Sequence, residues 1–105
     1  MRIAQLTRIL SYGEFHDVPR LFVVTVPDGL LVFDSPFDES LDDYRPEYTV
    51  YFLLWSEASR LHGSWNTLTE GAELRGRVAV SDVEFDGTRR LMVSASVVDE
   101  FASRP

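Results

Sequence analysis

The chain has 105 residues, the size of one folded domain, and a formal net charge of −7 at pH 7, which disfavours nucleic acid as a partner. It contains no cysteine, so disulfides, thiolate metal sites and cysteine nucleophiles are excluded. All ten basic residues are arginine, which excludes a lysine base or a phosphate-loop lysine. We expect a single domain over residues 1–105 in the cytoplasm, because a chain without cysteine suits a reducing compartment.

The first segment, Ile3 to Leu10, fits both the helix and the strand period, and we predict a strand because strand patterns dominate the rest of the chain. The amino terminus lacks the apolar core of a signal peptide. The longest apolar run, Val50 to Trp55, has six residues, far below the ~20 that a membrane span needs. No membrane partner is expected.

The clearest strand pair comes next. Arg20 to Val26 and Leu30 to Phe33 are runs rich in β-branched and aromatic residues, and Pro27-Asp28-Gly29 lies between them. Proline presets the turn and glycine tolerates the backbone angles that a tight turn requires. Residues 20–34 are therefore predicted to form an antiparallel hairpin.

The segment 34–47 concentrates the charge of the chain. It holds six acids and one arginine, a charge of −5, whereas the rest of the chain holds eleven acids and nine arginines, a charge of only −2. Phe37, Leu41 and Tyr44 recur at spacings of four and three, which predicts a helical turn that anchors these side chains while the acids face water.

Three interpretations of this acidic segment remain open. It is a solvated connection, a loop that docks a basic protein, or a metal site, and an EF-hand is disfavoured because Glu39 stands where that loop needs glycine. If it docks a protein, acids steer the partner and an aromatic side chain anchors it. The predicted binding residues are Phe37, Asp38, Glu39, Asp42, Asp43, Tyr44 and, from elsewhere in the chain, Trp65.

Tyr48 to Trp55 is apolar on both faces, which predicts a strand that is central in a sheet or lines a barrel wall, with Trp55 in the core. Residues 57–72 follow neither period and predict at most a turn or two of helix. Trp65, beside small and polar residues, is expected in the core, with a half-exposed indole that binds a partner or lines a barrel mouth as the alternative.

A second antiparallel hairpin is predicted over residues 75–98. Arg75 to Phe85 and Arg90 to Val98 flank Asp86-Gly87-Thr88, and a slip in the alternation predicts a β-bulge near Ser81-Asp82. Four arginines crowd this region and either pair with nearby acids or make the molecule dipolar, which would favour a homo-oligomer; they are Arg75, Arg77, Arg89 and Arg90.

These elements together predict an all-β fold, a small antiparallel curled sheet or barrel of about six strands with at most one or two short helical turns. The side chains expected in its core are Phe22, Val24, Val32, Val50, Phe52, Leu54, Val78, Val80, Leu91 and Val93.

The chain carries two histidines, His16 and His62, in no metal-binding spacing. They would form a metal or acid–base site only if the fold brought them together with an acid. No Gly-x-Ser-x-Gly elbow occurs. No catalytic residue, metal site or cofactor is therefore predicted.

We expect a non-enzymatic domain whose acidic segment 34–47 docks a basic protein partner, as an immunity or antitoxin-type inhibitor would. The alternative is a small barrel that binds an apolar ligand between Tyr48–Trp55 and the Trp65 region. A hydrolase-like enzyme that uses His16 or His62 is the third interpretation.

Overall fold

The computed structural model describes residues 6–16, 18–63, 67–85 and 92–102. Eight strands form within these ranges: β1 (Leu6–His16), β2 (Val18–Val26), β3 (Gly29–Asp34), β4 (Phe37–Asp38), β5 (Asp43–Tyr44), β6 (Glu47–Leu54), β7 (Glu73–Ala79) and β8 (Met92–Ser94). A 3-10 helix spans Trp55–His62, a short one spans Val80–Asp82, and an α-helix, α1, spans Ala95–Ala102.

Six strands form one antiparallel sheet in the order β7-β6-β3-β2-β1-β8, and β4 and β5 form a separate two-stranded ribbon. The all-β prediction is confirmed. Within the described part of the chain the sheet runs from β7 at one edge to β8 at the other and is not closed, so the barrel form of the prediction is wrong. None of the described helices has the length and apolar character to cross a membrane.

The first predicted hairpin is confirmed. Strands β2 and β3 pair from Leu21 opposite Asp34 to Val26 opposite Gly29, with a turn of two residues between the strands. Gly29 is required by packing, because a Cβ at this position would overlap the backbone oxygen of Leu53 in β6. The predicted first strand is also confirmed from Leu6 onwards, and residues 3–5 lie outside the described ranges.

The predicted central strand is confirmed as well. Strand β6 lies between β3 and β7, and β3 has five of its six residues buried. A strand that is covered on both faces presents no face to solvent, which explains why β3 and β6 are nearly continuous apolar runs. Both are interior strands of the sheet, and β6 lies next to the edge strand β7.

The second predicted hairpin is wrong. Its first arm, from Arg75 to Ala79, pairs with β6, whereas β8 pairs with β1 at the opposite edge of the sheet. The segment after β8 is helical, because Val98 and Phe101 lie three residues apart on one face of α1 and are buried there. Among the described residues, the bridge between Phe85 and Val93 and the bond from the Ser94 amide to the Glu84 carbonyl at 2.8 Å keep the predicted antiparallel relation. The turn at 86–88 lies outside the described residues.

The predicted bulge at Ser81-Asp82 is wrong too. The chain there forms the 3-10 helix Val80–Asp82, which the Val83 amide closes by donating to the Val80 carbonyl at 3.1 Å. This single helical turn accommodates the extra residue that the slip in the strand alternation indicates, and it changes the face on which the next side chains lie. This explains why Val83 is buried although it breaks the alternation.

The core has two layers, one on each face of the sheet. The larger contains stacked rings of Phe22 and Phe33, with centroids 4.8 Å apart, and the edge-on ring of Tyr48; α1 covers it through Phe101. The smaller layer lies under the 3-10 helix Trp55–His62 and consists of Val23, Leu30, Val32, Leu53 and Leu68.

Six of the ten predicted core residues are buried: Phe22, Val24, Val32, Val50, Phe52 and Val93. Val78 and Val80 are half-buried against the same layer, and Leu91 lies outside the described residues.

Leu54 and Trp55, both expected in the core, are about half exposed instead. The pairing of β6 with β7 ends at Phe52 opposite Glu73, so Leu54 extends past β7, although it still pairs with Gly29 of β3. The Trp55 indole N–H donates to the Pro27 carbonyl at 3.0 Å, which holds the ring at the surface.

Candidate functional site

The acidic segment 34–47 forms a β-ribbon, called here the acidic ribbon, and not the predicted helical turn. Phe37 pairs with Tyr44 and Asp38 with Asp43, and the chain reverses through residues 39–42. The Asp42 backbone adopts a positive φ of 51°, a left-handed conformation that aspartate tolerates better than most residues. A left-handed residue at this point prevents the turn from continuing as a helix and directs the chain back as a second strand.

The two faces of the acidic ribbon differ in chemistry. Side chains alternate between the faces of a strand, so the Phe37–Tyr44 pair lies on one face and the Asp38–Asp43 pair on the other. The two rings meet edge to face with centroids 5.4 Å apart. Phe37 is 50% exposed, whereas Tyr44 is half-buried with the Arg20 guanidinium 4.9 Å from its ring centroid. Phe37 is thus the aromatic side chain that solvent reaches.

Asp38 is bound within the ribbon. Its Oδ1 accepts hydrogen bonds from the Ser40 hydroxyl at 2.6 Å and the Ser40 amide at 2.9 Å, and its Oδ2 lies 3.2 Å from the Arg45 guanidinium. The hydrogen bonds from Ser40, together with the charge of Arg45, hold the pKa of this carboxyl below its ordinary value. Asp38 therefore stays ionised and stabilises the turn.

The other predicted acids point to solvent. Glu39, Asp42 and Asp43 are exposed, as is Leu41 at the end of the ribbon, which is 55% exposed and does not anchor it. Asp43 also accepts a hydrogen bond from the Tyr44 amide at 2.7 Å. The end of the ribbon therefore combines negative charge with an accessible apolar side chain.

Sequence reasoning missed two residues at the base of the ribbon. Ser35 is fully buried, and its hydroxyl donates to the Arg45 carbonyl at 2.7 Å and accepts from Arg20 Nη1 at 3.3 Å. Arg20 is itself buried, with 8% of its surface exposed. No local pattern indicates this contact, because it joins residues that lie fifteen positions apart.

The remaining predicted sites are less informative. Trp65 and the side chains of His16 and His62 lie outside the described part of the chain, so the docking role of Trp65 and the acid–base interpretation stay predictions. Among the described residues no three histidine, aspartate or glutamate side chains come together as a metal site.

Arg75 is internally bound. It forms an ion pair with Glu73, donates to the Phe101 carbonyl at 2.6 Å and lies 4.2 Å from the Phe52 ring centroid. Arg89 and Arg90 lie outside the described residues. Arg75 therefore supports the pairing alternative for these arginines, and the expected homo-oligomer stays a prediction.

One cavity of about 320 Å³ is lined by Arg60, Gly63, Thr67 and Glu70. Arg60 donates to the backbone carbonyl of Glu70 at 2.6 Å and forms an ion pair with Glu57 at 3.2 Å. The guanidinium thus links the 3-10 helix to the segment that follows it. Trp65, on which the alternative function depends, lies outside the described residues, so the apolar-ligand function stays a prediction.

Comparison with protein-family models, curated proteins and solved structures finds no match to this chain.

Proposed function

We propose that the protein is a non-enzymatic binding domain whose acidic ribbon, residues 34–47, docks a basic protein partner, in the manner of an immunity or antitoxin-type inhibitor. The observation that carries the proposal is the exposure of Phe37 on a separate β-ribbon whose end presents Glu39, Asp42 and Asp43 to solvent.

A formed ribbon favours binding for an entropic reason. Its turn is closed by hydrogen bonds from the Leu41 amide to the Asp38 carbonyl at 3.0 Å and from the Asp42 amide to the Glu39 carbonyl at 3.2 Å. The Arg45 amide closes the base by donating to the Pro36 carbonyl at 2.9 Å. Because these bonds order the ribbon in the free protein, docking loses less conformational entropy than the ordering of a flexible loop would cost.

Charge and apolar surface have separate tasks in this proposal. Exposed carboxylates act at long range and accelerate the encounter with a positive partner. An accessible aromatic side chain acts at contact and slows dissociation. Tyr44 is held under Arg20, so Phe37 takes the anchor role and Leu41 adds a smaller contact.

The role of the exposed carboxylates in association is tested by the double substitution Asp42→Asn with Asp43→Asn. Asparagine keeps the shape of both side chains, tolerates the left-handed backbone at position 42 and still accepts the hydrogen bond from the Tyr44 amide. The control is Glu84→Gln with Glu100→Gln, which removes two exposed acids elsewhere and gives the same net charge.

Wild type serves as bait in an extract of the expressing cells, and binding kinetics with the recovered protein are measured at low and high salt. We expect the ribbon pair to slow association and weaken its salt dependence, while the control pair changes both much less. Equal effects of the two pairs would mean that only net charge matters, which would contradict docking through the ribbon.

The role of Phe37 as the anchor of the bound partner is tested by Phe37→Ala. The control is Leu74→Ala, which truncates a side chain of similar exposure on β7. We expect Phe37→Ala to raise the dissociation rate roughly 30-fold, the equivalent of about 2 kcal/mol. Leu74→Ala should leave that rate unchanged. If neither the charge pair nor Phe37→Ala alters binding, the ribbon is only a solvated connection.

A further inference from the structure

A buried polar cluster joins the acidic ribbon to the six-stranded sheet. It consists of Arg20, at the start of β2, and Ser35, in the leading arm of the ribbon just after β3, and we call it the Arg20–Ser35 clamp. The Ser35 amide donates to the Arg20 carbonyl at 2.7 Å, which continues the β2–β3 ladder by one step beyond the Leu21–Asp34 pair. The ribbon is thus tied to the sheet at its leading arm.

The side chains of the clamp reach the returning arm as well. The Ser35 hydroxyl donates its single proton to the Arg45 carbonyl at 2.7 Å and accepts from Arg20 Nη1 with a lone pair. The Arg20 guanidinium lies 4.9 Å from the Tyr44 ring centroid, within the range of a cation–π contact. One buried cation and one buried hydroxyl therefore hold both arms.

We propose that Arg20 and Ser35 are positioning residues that fix the orientation of the acidic ribbon relative to the sheet. The consequence for partner binding rests on the proposed function, but the restraint itself does not. Besides the clamp and the Leu21–Asp34 pair, the backbone links in the described residues from the ribbon to elements beyond its flanking strands lie at its base: the Val80 amide donates to the Pro46 carbonyl at 2.8 Å, and Glu47 pairs with Ala79 of β7. Weakening the clamp should therefore loosen the ribbon without opening the core.

The chemistry explains why these residue types are used. Burying a guanidinium is unfavourable unless its donors and its charge are satisfied, and a hydroxyl acceptor with an aromatic face provides part of that compensation. A hydroxyl is also small enough for a fully buried site between two strands. Alanine at position 35 would leave the Arg45 carbonyl and Arg20 Nη1 without this partner.

The test is native-state amide hydrogen exchange, residue by residue, in Ser35→Ala, Ser35→Cys and Ser40→Ala. The reporters are the Arg45 amide at the ribbon base and the amides of the β2–β3 ladder in the core. Ser40→Ala is the control, because its hydroxyl bonds Asp38 within the ribbon and makes no contact with the clamp.

We expect Ser35→Ala to accelerate exchange at the Arg45 amide roughly tenfold while core amides exchange at the wild-type rate. Ser35→Cys, a weak donor of similar size, should give an intermediate rate, and Ser40→Ala, which removes a hydrogen bond of the turn, should accelerate the Leu41 and Asp42 amides more than the Arg45 amide. The same acceleration at ribbon and core amides would show a general loss of stability and overturn the proposal. An unchanged Arg45 amide would also overturn it.

If Ser35→Ala does not fold, Arg20→Lys tests the other end of the clamp, because lysine keeps the charge but lacks the planar guanidinium. The expected result is again faster exchange confined to the ribbon, and uniform or absent acceleration refutes the clamp. Binding separates the two proposals. Faster ribbon exchange, together with unaltered binding of the Asp42→Asn, Asp43→Asn pair and of Phe37→Ala, would support the clamp and refute docking through the ribbon. Unchanged exchange with weaker binding of the Asp42→Asn, Asp43→Asn pair would do the reverse.

Discussion

Removing the hydroxyl of Tyr48 tests whether the aromatic layer of the core is assembled as described. Tyr48 is fully buried in β6, and its hydroxyl donates to the Pro19 carbonyl of β2 at 2.6 Å. This bond passes over β3, which lies between the two strands. The substitution Tyr48→Phe deletes one oxygen and keeps the ring that packs edge-on against Phe22 and Phe33.

The expected cost follows from the burial of the carbonyl. A net hydrogen bond contributes about 1 kcal/mol, and a buried group that loses its partner costs about 1–3 kcal/mol. We therefore expect Tyr48→Phe to lower the free energy of unfolding by about 1–3 kcal/mol. For a domain of this size each 1 kcal/mol corresponds to a fall in Tm of about 4–8 °C.

Urea denaturation followed by tryptophan fluorescence measures the change, with Tyr51→Phe as control. Tyr51 lies on the same strand but faces the other layer, and no described residue forms a hydrogen bond with its hydroxyl. The control should stay within about 0.5 kcal/mol of wild type. A change in Tyr48→Phe as small as in the control, with an unchanged m value, would refute the hydrogen bond between β6 and β2.

Three further predictions concern the sheet and the ribbon. Gly29→Ala should destabilise the fold by about 1–3 kcal/mol or more in the same assay, because its methyl group would overlap the Leu53 backbone; a neutral effect would contradict the strand spacing. Phe52→Ala should cost about 3–5 kcal/mol and Leu54→Ala under about 1 kcal/mol, since only Phe52 is buried; equal losses would contradict this difference. The Asp38 carboxyl, followed by NMR, should titrate below its ordinary pKa of 3.8, and a midpoint at or above 3.8 would contradict the Ser40 and Arg45 contacts. The stabilisation of the ribbon by this carboxylate is complete above pH 3.8 and is lost as the pH falls through the lowered pKa.

The local sequence determined those elements whose hydrophobic pattern agrees with the contacts that they make in the fold. The hairpin of β2 and β3 follows from two apolar runs on either side of Pro27-Asp28-Gly29, and the central place of β6 follows from its lack of a polar face. Both signals are contained within short stretches of chain, so no distant contact is needed to interpret them. The concentration of acids in residues 34–47 is also a property of the sequence alone.

Tertiary structure decided the points at which two local patterns compete. Val93, Ala95 and Val97 alternate like a strand, whereas Val98 and Phe101 follow the helix period, and the helix forms because it buries Phe101 against the ring of Phe33. This short stretch of sequence fits both the strand period and the helix period, and it does not reveal how much apolar area a strand or a helix would bury there. The last residues of the predicted hairpin over 75–98 became helical for this reason, whereas its arms failed to pair because β7 and β8 lie at opposite edges of the sheet.

The acidic ribbon also combines features that the sequence determined with features that the tertiary structure decided. Its charge and its aromatic residues are visible in the sequence, but Phe37, Leu41 and Tyr44 have a helix-like spacing that the left-handed backbone of Asp42 overrides. The Arg20–Ser35 clamp has no local signal at all, because its energy comes from satisfying buried polar groups that meet only after β2 and β3 have paired. The sequence by itself therefore determined which residues carry the charge, and the paired strands decided which of them face solvent and what holds them there.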